Sequence, residues 1–214
     1  MIEKIGMKEN LLEGLKKAAE IIRSGGIVAF PTESFYGLGV NATDEKAIKR
    51  LFGIKKRQED HPVLILIPAI ETLEEYVADI PETALTIMKR FWPGGLTLVF
   101  AASAMVSPLL TSGTGKIGVR LSGHPVATAL ARAVGLPITG TSANISGQPA
   151  CQTAEAVSQS LGSEIDLILD GGKTSGIKGS TILDITVSPP TILREGMIGR
   201  EELIEFLQIP LSGS

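Results

Sequence analysis

The stretch Gly25 to Gly39, GGIVAFPTESFYGLG, constrains the fold of this chain more than any other. Ile27, Val28, Ala29 and Phe30 form an unbroken apolar run, the mark of a strand buried on both faces, and Pro31 then removes a ladder donor. The strand is predicted to end at Pro31. Beyond it stand Thr32, Glu33 and Ser34, an aromatic pair, and two glycines able to take tight or left-handed backbone, so the turn can hold polar groups against a ligand. An ordinary strand with a glycine-containing turn accounts for the same residues.

Around this stretch the pattern alternates between helical and extended periodicity. Leu11, Leu12, Leu15, Ala18, Ala19 and Ile22 recur at helical spacing, and Gly25-Gly26 stops that helix. Thr43-Asp44 offers a cap for a second helix with Ala47, Ile48, Leu51 and Phe52 inward, closed at Gly53. Further helices are predicted at 70–77, 81–91, 124–134, 153–161 and 200–207. Strands are predicted at 63–67, 96–101, 116–121, 137–141, 166–169, 181–185 and 191–194. The last third is richer in strands than in helices. The expectation is one α/β domain over residues 8–208, a twisted mixed parallel and antiparallel sheet flanked by helices with a concave basic site, and a flexible tail over 209–214.

Composition narrows the function. With 214 residues and 43% apolar content the chain can bury a full core, and a net charge of −3 argues against coating nucleic acid by bulk charge. Cys151 is the single cysteine, which excludes an intrachain disulfide and fits a reducing compartment. No basic segment followed by an apolar one opens the sequence, and no apolar run approaches the roughly 20 residues of a spanning helix. A cytoplasmic protein without a membrane role is expected.

The strongest electrostatic feature lies between Lys46 and Arg57. Lys46, Lys49 and Arg50 fall opposite the apolar face of their helix, which suits solvated charges. Lys55 and Arg57 follow Gly53, and in an extended segment they would project together while Lys56 points away. That is a phosphate clamp in outline, although a solvated pair fits the spacing as well. Ser142 and Asn144 alternate in the same way at the end of a short strand, where ligands gather on open α/β sheets; a simple Asx or Ser turn is the other reading. Gly179-Ser180-Thr181, Arg194 and Arg120 add hydroxyl and guanidinium groups at further strand ends. Together they suggest a concave site for an anionic ligand.

Familiar alternatives fail on inspection. Gly172-Lys-Thr lacks the earlier glycine of a P-loop, no Gly-x-Ser-x-Gly occurs, and His61, His124 and Cys151 lie too far apart in sequence to show a zinc pattern.

Pro31-Thr-Glu-Ser-Phe-Tyr-Gly-Leu-Gly, Lys55-x-Arg57, Trp92-Pro-Gly-Gly-Leu-Thr, Val119-Arg, Thr141-Ser-Ala-Asn-Ile-Ser-Gly, Ser180-Thr and Leu193-Arg-Glu-Gly, in this order, resemble the YrdC-like threonylcarbamoyl-adenylate synthases. The similarity runs from about Ile21 to Glu205, and the length resembles the catalytic domain alone. The resemblance implies that L-threonine, bicarbonate or CO₂, and ATP yield threonylcarbamoyl-AMP and pyrophosphate for t6A modification of tRNA. It implies Mg²⁺ carried on the ATP phosphates, with no protein metal ligand, and a product passed to a tRNA threonylcarbamoyl transferase. Lys55, Arg57, Ser142 and Asn144 match the family's phosphate tetrad, with His61 and Arg194 as further ATP contacts. Thr32, Ser34, Arg120 and Ser180 match threonine contacts, Arg120 suiting a carboxylate. The chain departs from the family pattern at Ser34, Gln58, His61 and Leu66. Two other classes share some features: a non-catalytic double-stranded RNA or tRNA binder, with weak RNA contact, and a carbamoyl-transfer domain of hydrogenase-maturation type.

Overall fold

The computed structural model describes residues 4–6, 10–56, 61–209 and 211–213. In chain order, β1 (Lys4–Gly6) and α1 (Leu11–Arg23) lead to the hairpin of β2 (Val28–Pro31) and β3 (Tyr36–Gly39), followed by α2 (Glu45–Lys55) and β4 (Ile65–Leu66). Then come α3 (Leu73–Tyr76), α4 (Glu82–Phe91), β5 (Leu96–Ala101), α5 (Pro108–Thr111), β6 (Lys116–Arg120), α6 (Pro125–Val134), β7 (Ile138–Thr139) and β8 (Thr141–Ser142). The last third holds α7 (Ala154–Leu161), β9 (Leu167–Asp170), β10 (Thr181–Asp184), β11 (Thr191–Arg194), α8 (Arg200–Leu207) and β12 (Ser212–Gly213).

The expected mixed sheet is present as two. One runs β1-β9-β2-β3-β8 and the other β12-β11-β10-β5-β6-β4-β7. Both are mixed: β2 pairs parallel with β9 and antiparallel with β3, while β5 pairs parallel with β10 and antiparallel with β6. The predicted strand at 137–141 divides between them, β7 joining the seven-stranded sheet and β8 the five-stranded one. Gly140 lies at the crossing because a Cβ there would come within 2.5 Å of Leu64 and 3.1 Å of Leu66. Leu66 itself is buried beneath it.

All four residues of β2 are buried, as the apolar run requires. Val28 and Phe30 pack with Leu15, Ala18, Ala19 and Ile22 of α1 and with α6, while Ala29 joins the larger core shared by both sheets. Four expectations need correction. Gly37 and Gly39 sit in β3 and not in a turn; a Cβ on Gly39 would lie 2.8 Å from the Phe30 ring, so the glycine admits a large neighbour. Leu11 and Leu12 belong to the apolar spacing of α1 but are exposed, because α6 covers only the later turns. Helix α2 does not close at Gly53; a glycine costs a helix only about 1 kcal/mol, and Lys55 is anchored beyond it. The expected flexible tail is docked in its described part: Leu211 is buried and Ser212–Gly213 pairs with β11.

Candidate active site

Alternate residues of several strands reach one concave face. On β6, Lys116, Gly118 and Arg120 face a cavity while Ile117 and Val119 enter the core; on β5, Thr97 and Val99 do the same against Leu96, Leu98 and Phe100. Ser180, just before β10, and Ile182 within it continue this face, with Leu193 and Arg194 from β11. The five-stranded sheet closes the opposite wall with the 32–35 turn, Tyr36, Gly37, Thr141 and Ser142. The cavity volume is about 720 Å³.

The turn after Pro31 is fixed by its own hydroxyls. Thr32 Oγ1 donates to Phe35 O at 2.6 Å and lies 3.1 Å from Ser34 Oγ. Having spent its only proton, Thr32 accepts from Ser34, which leaves the Ser34 oxygen free to accept a ligand donor. Below it, Tyr36 Oη donates to Gly172 O at 2.8 Å and ties β3 to the loop after β9. Burial and the nearby Asp170 carboxylate push this phenol above the usual tyrosine range, so it remains neutral.

Three cations line the cavity and are balanced differently. Lys116 Nζ donates to Asp184 Oδ2 at 2.9 Å. Arg194 donates to Ser180 O at 2.9 Å and Ser180 Oγ at 3.2 Å, and Ser180 Oγ is 2.9 Å from Thr97 Oγ1. Arg120 is only 5% exposed, its nearest counter-charge is Glu33 Oε1 at 3.7 Å, and its buried Nε has no hydrogen-bond partner among the described residues. Burial pulls the Arg120 guanidinium below the usual arginine range, with Glu33 opposing. Burial, and then the charge of Arg120, pull the Arg194 guanidinium below the usual arginine range as well. Two like charges thus share one pocket, and an anion placed between them would relieve both penalties.

A second recess of about 450 Å³ adjoins the first, lined by Lys55, Lys56, His61, Ser142, Asn144, Ser146 and Gly147. His61 and Ser142 belong to both cavities. Lys55 is not in the extended segment that alternation assumed. It ends α2, Lys56 turns left-handed after it with φ 49°, and Lys55 is 2% exposed. Its ammonium donates to Ser142 O and, at 2.8 Å, to Asn144 O, while Ser146 N returns a bond to Lys55 O at 2.9 Å. Lys55 therefore staples the 142–146 loop. Asn144 donates to Ile145 O and Gln148 O, and its buried Oδ1 has no partner among the described residues. Arg57, the other half of the expected clamp, and Gln58 lie outside the described residues.

Thus Thr32, Ser34, Arg120 and Ser180 gather with Arg194 in the larger cavity, Lys55 and Asn144 in the smaller, and Ser142 and His61 where they meet. Sequence reasoning missed Lys116 and Thr97. Period-two counting back from Arg120 along its strand would have found Lys116; Thr97 carries no comparable signal.

A profile of the Sua5/YciO/YrdC family, described as telomere recombination, matches residues 20–196. The chain is 43% identical over 200 residues to a threonylcarbamoyl-AMP synthase of Pyrococcus abyssi, covering 93% of this chain and 59% of that protein. It is 42% identical over 190 residues to a threonylcarbamoyl-AMP synthase of Bacillus subtilis, covering 88% of this chain and 55% of that protein. The chain therefore spans somewhat more than half the length of these relatives. A crystal structure of P. abyssi Sua5 complexed with L-threonine superposes with a TM-score of 0.93 at 40% identity, covering 99% of this chain and 62% of that one.

Proposed function

Because the chain belongs to the Sua5/YciO/YrdC family, we propose that it forms threonylcarbamoyl-AMP and pyrophosphate from L-threonine, bicarbonate or CO₂, and ATP. The observation that carries this reading is Arg120: a buried guanidinium facing a cavity with an unpaired donor, flanked by hydroxyls and a second arginine, suits an amino acid's carboxylate. The Sua5 relative described with L-threonine bound supports that choice of ligand. Ser34, Thr32 and Ser180 would line the threonine site. Arg194 would face the nucleotide, and the loop held by Lys55, with Ser142, Asn144, His61 and Arg57, would receive the phosphates.

No covalent nucleophile is required. The neutral threonine amine attacks CO₂ and loses a proton to give a carbamate, whose oxygen displaces pyrophosphate from the α-phosphorus of ATP. The protein's part is to hold the reactants adjacent and to offset growing negative charge with fixed cations. Among the described residues no group of three or more His, Cys, Asp or Glu is placed to hold a metal. Hydroxyl and cationic walls suit ATP entering as its Mg²⁺ complex, in which the ion neutralises phosphate charge. The product, a mixed anhydride, would pass to a tRNA threonylcarbamoyl transferase for t6A formation. No helix among the described residues is long and apolar enough to cross a membrane; we place the reaction in the cytoplasm.

The test is pyrophosphate release from ATP with each substrate omitted in turn. Release that requires threonine, bicarbonate and ATP together is expected. Release that persists without threonine would overturn the assignment.

A further inference from the structure

Glu33 lies between two residues of the threonine site yet is turned away from it. Thr32 and Ser34 line the cavity and Glu33 does not; its carboxylate lies beside Arg120, with Oε1 3.7 Å from Nη1. It is held there from several sides. Ser122 Oγ donates to Glu33 Oε2 at 2.6 Å, and Ser175 Oγ donates to Glu33 O at 2.6 Å. Ser122 is itself fixed, since its carbonyl accepts from Thr128 Oγ1 at 2.6 Å and its hydroxyl accepts from His124 N at 3.2 Å. With its carboxylate held by Ser122, which is anchored to Thr128 of α6, and its main-chain carbonyl held by Ser175, Glu33 cannot follow Arg120 if that side chain moves.

The ion pair is also unusually loose for its burial. Glu33 Oε1 stands 3.7 Å from Arg120 Nη1, and both Glu33 Oε1 and Arg120 Nε are buried without a hydrogen bond among the described residues. At that distance the carboxylate supplies counter-charge without occupying the donors of the guanidinium. Arg194 lines the same cavity, and Glu33 is the carboxylate within ion-pair reach of Arg120 among the described residues. A tighter pair would hold Arg120 equally well but compete with an incoming carboxylate.

We propose that Glu33, braced by Ser122, is a positioning residue that holds Arg120 on the cavity wall and leaves its donors open for the carboxylate of the amino-acid substrate. The proposal rests on the reading of this cavity as the threonine site. Glu33 does not touch the substrate; it acts through Arg120. Loss of the counter-charge should therefore damage threonine binding selectively.

Steady-state pyrophosphate release tests this with Glu33→Gln, Glu33→Asp and Ser122→Ala, each checked by thermal melting. Glu33→Gln should raise KM for threonine at least tenfold while KM for ATP stays within twofold and kcat within about threefold. Ser122→Ala should move the same constant in the same direction but less, and Glu33→Asp should recover part of the loss because it keeps the charge. An unchanged KM for threonine in a folded Glu33→Gln protein, or equal rises in both KM values, would overturn the proposal. If Glu33→Gln fails to fold, Ser122→Ala with an unchanged threonine KM overturns it alone. A wild-type protein whose pyrophosphate release ignores threonine overturns the functional reading, and the proposal falls with it.

Discussion

Arg194 and Arg120 illustrate how differently two guanidinium groups can serve one cavity. Arg194 spends donors on the carbonyl and hydroxyl of Ser180, which in turn contacts Thr97, so its direction is set by the strand ends of β10 and β5. Arg120 makes only a 3.7 Å ion pair with Glu33, and its buried Nε has no partner among the described residues. Removing Arg194 should therefore cost the nucleotide a charge-assisted contact worth about 1.5–3 kcal/mol, roughly a 10- to 150-fold effect. We expect Arg194→Ala to raise KM for ATP by that factor with a melting temperature within about 2 °C of wild type, as measured by steady-state kinetics and calorimetry. An unchanged KM for ATP would place Arg194 outside the nucleotide site. At this scale the sequence revealed residue types better than directions. Lys55 was legible as half of a phosphate clamp in outline, but its burial and its two carbonyl partners depend on the loop at 142–146, which lies far along the chain.

Two carboxylates couple elements that are distant in sequence. Asp166, just before β9, accepts from Arg50 of α2 at 2.7 Å and from Ile27 N at 2.7 Å, while Asp184 at the end of β10 accepts from Lys116 of β6 at 2.9 Å and from Thr186 Oγ1 at 2.6 Å. Burial opposes ionisation of both, yet these hydrogen bonds prevail and hold each below the ordinary aspartate range. A carboxyl whose folded value is depressed contributes stability that is complete above its unfolded value of about 3.9 and is lost as pH falls through the folded value. Melting temperature should accordingly be level near neutrality and decline below about pH 4, and Asp184→Asn should make that acid decline shallower. An identical decline in wild type and variant would remove Asp184 from the account. Most elements were legible because their signals are local: Pro31 ends β2, Thr153 Oγ1 caps α7 by accepting from Ala156 N, and Pro125 follows the His124 cap of α6. The division of 138–142 between two sheets was not, since it is decided by close approach of Leu64 and Leu66 to Gly140.

On the scale of the whole molecule, one shared core joins the two sheets and the cavity opens where they meet, with its cations drawn mainly from the seven-stranded sheet and its hydroxyl turn from the five-stranded one. Neither sheet could form the site alone. The sequence showed the strand ends and their polar residues, and the resemblance of its motifs supplied their association; only the fold shows that Thr97 joins them and that Glu33 stands beside Arg120, through contacts between distant parts of the chain. On the proposed reading, these converging groups make a receptor for an amino-acid carboxylate. Calorimetric titration of L-threonine into the wild-type protein and into a folded Arg120→Gln variant tests this. The prediction is saturable binding by the wild type and at least a tenfold loss, about 1.4 kcal/mol, in the variant. Equal affinity in the two proteins would contradict it.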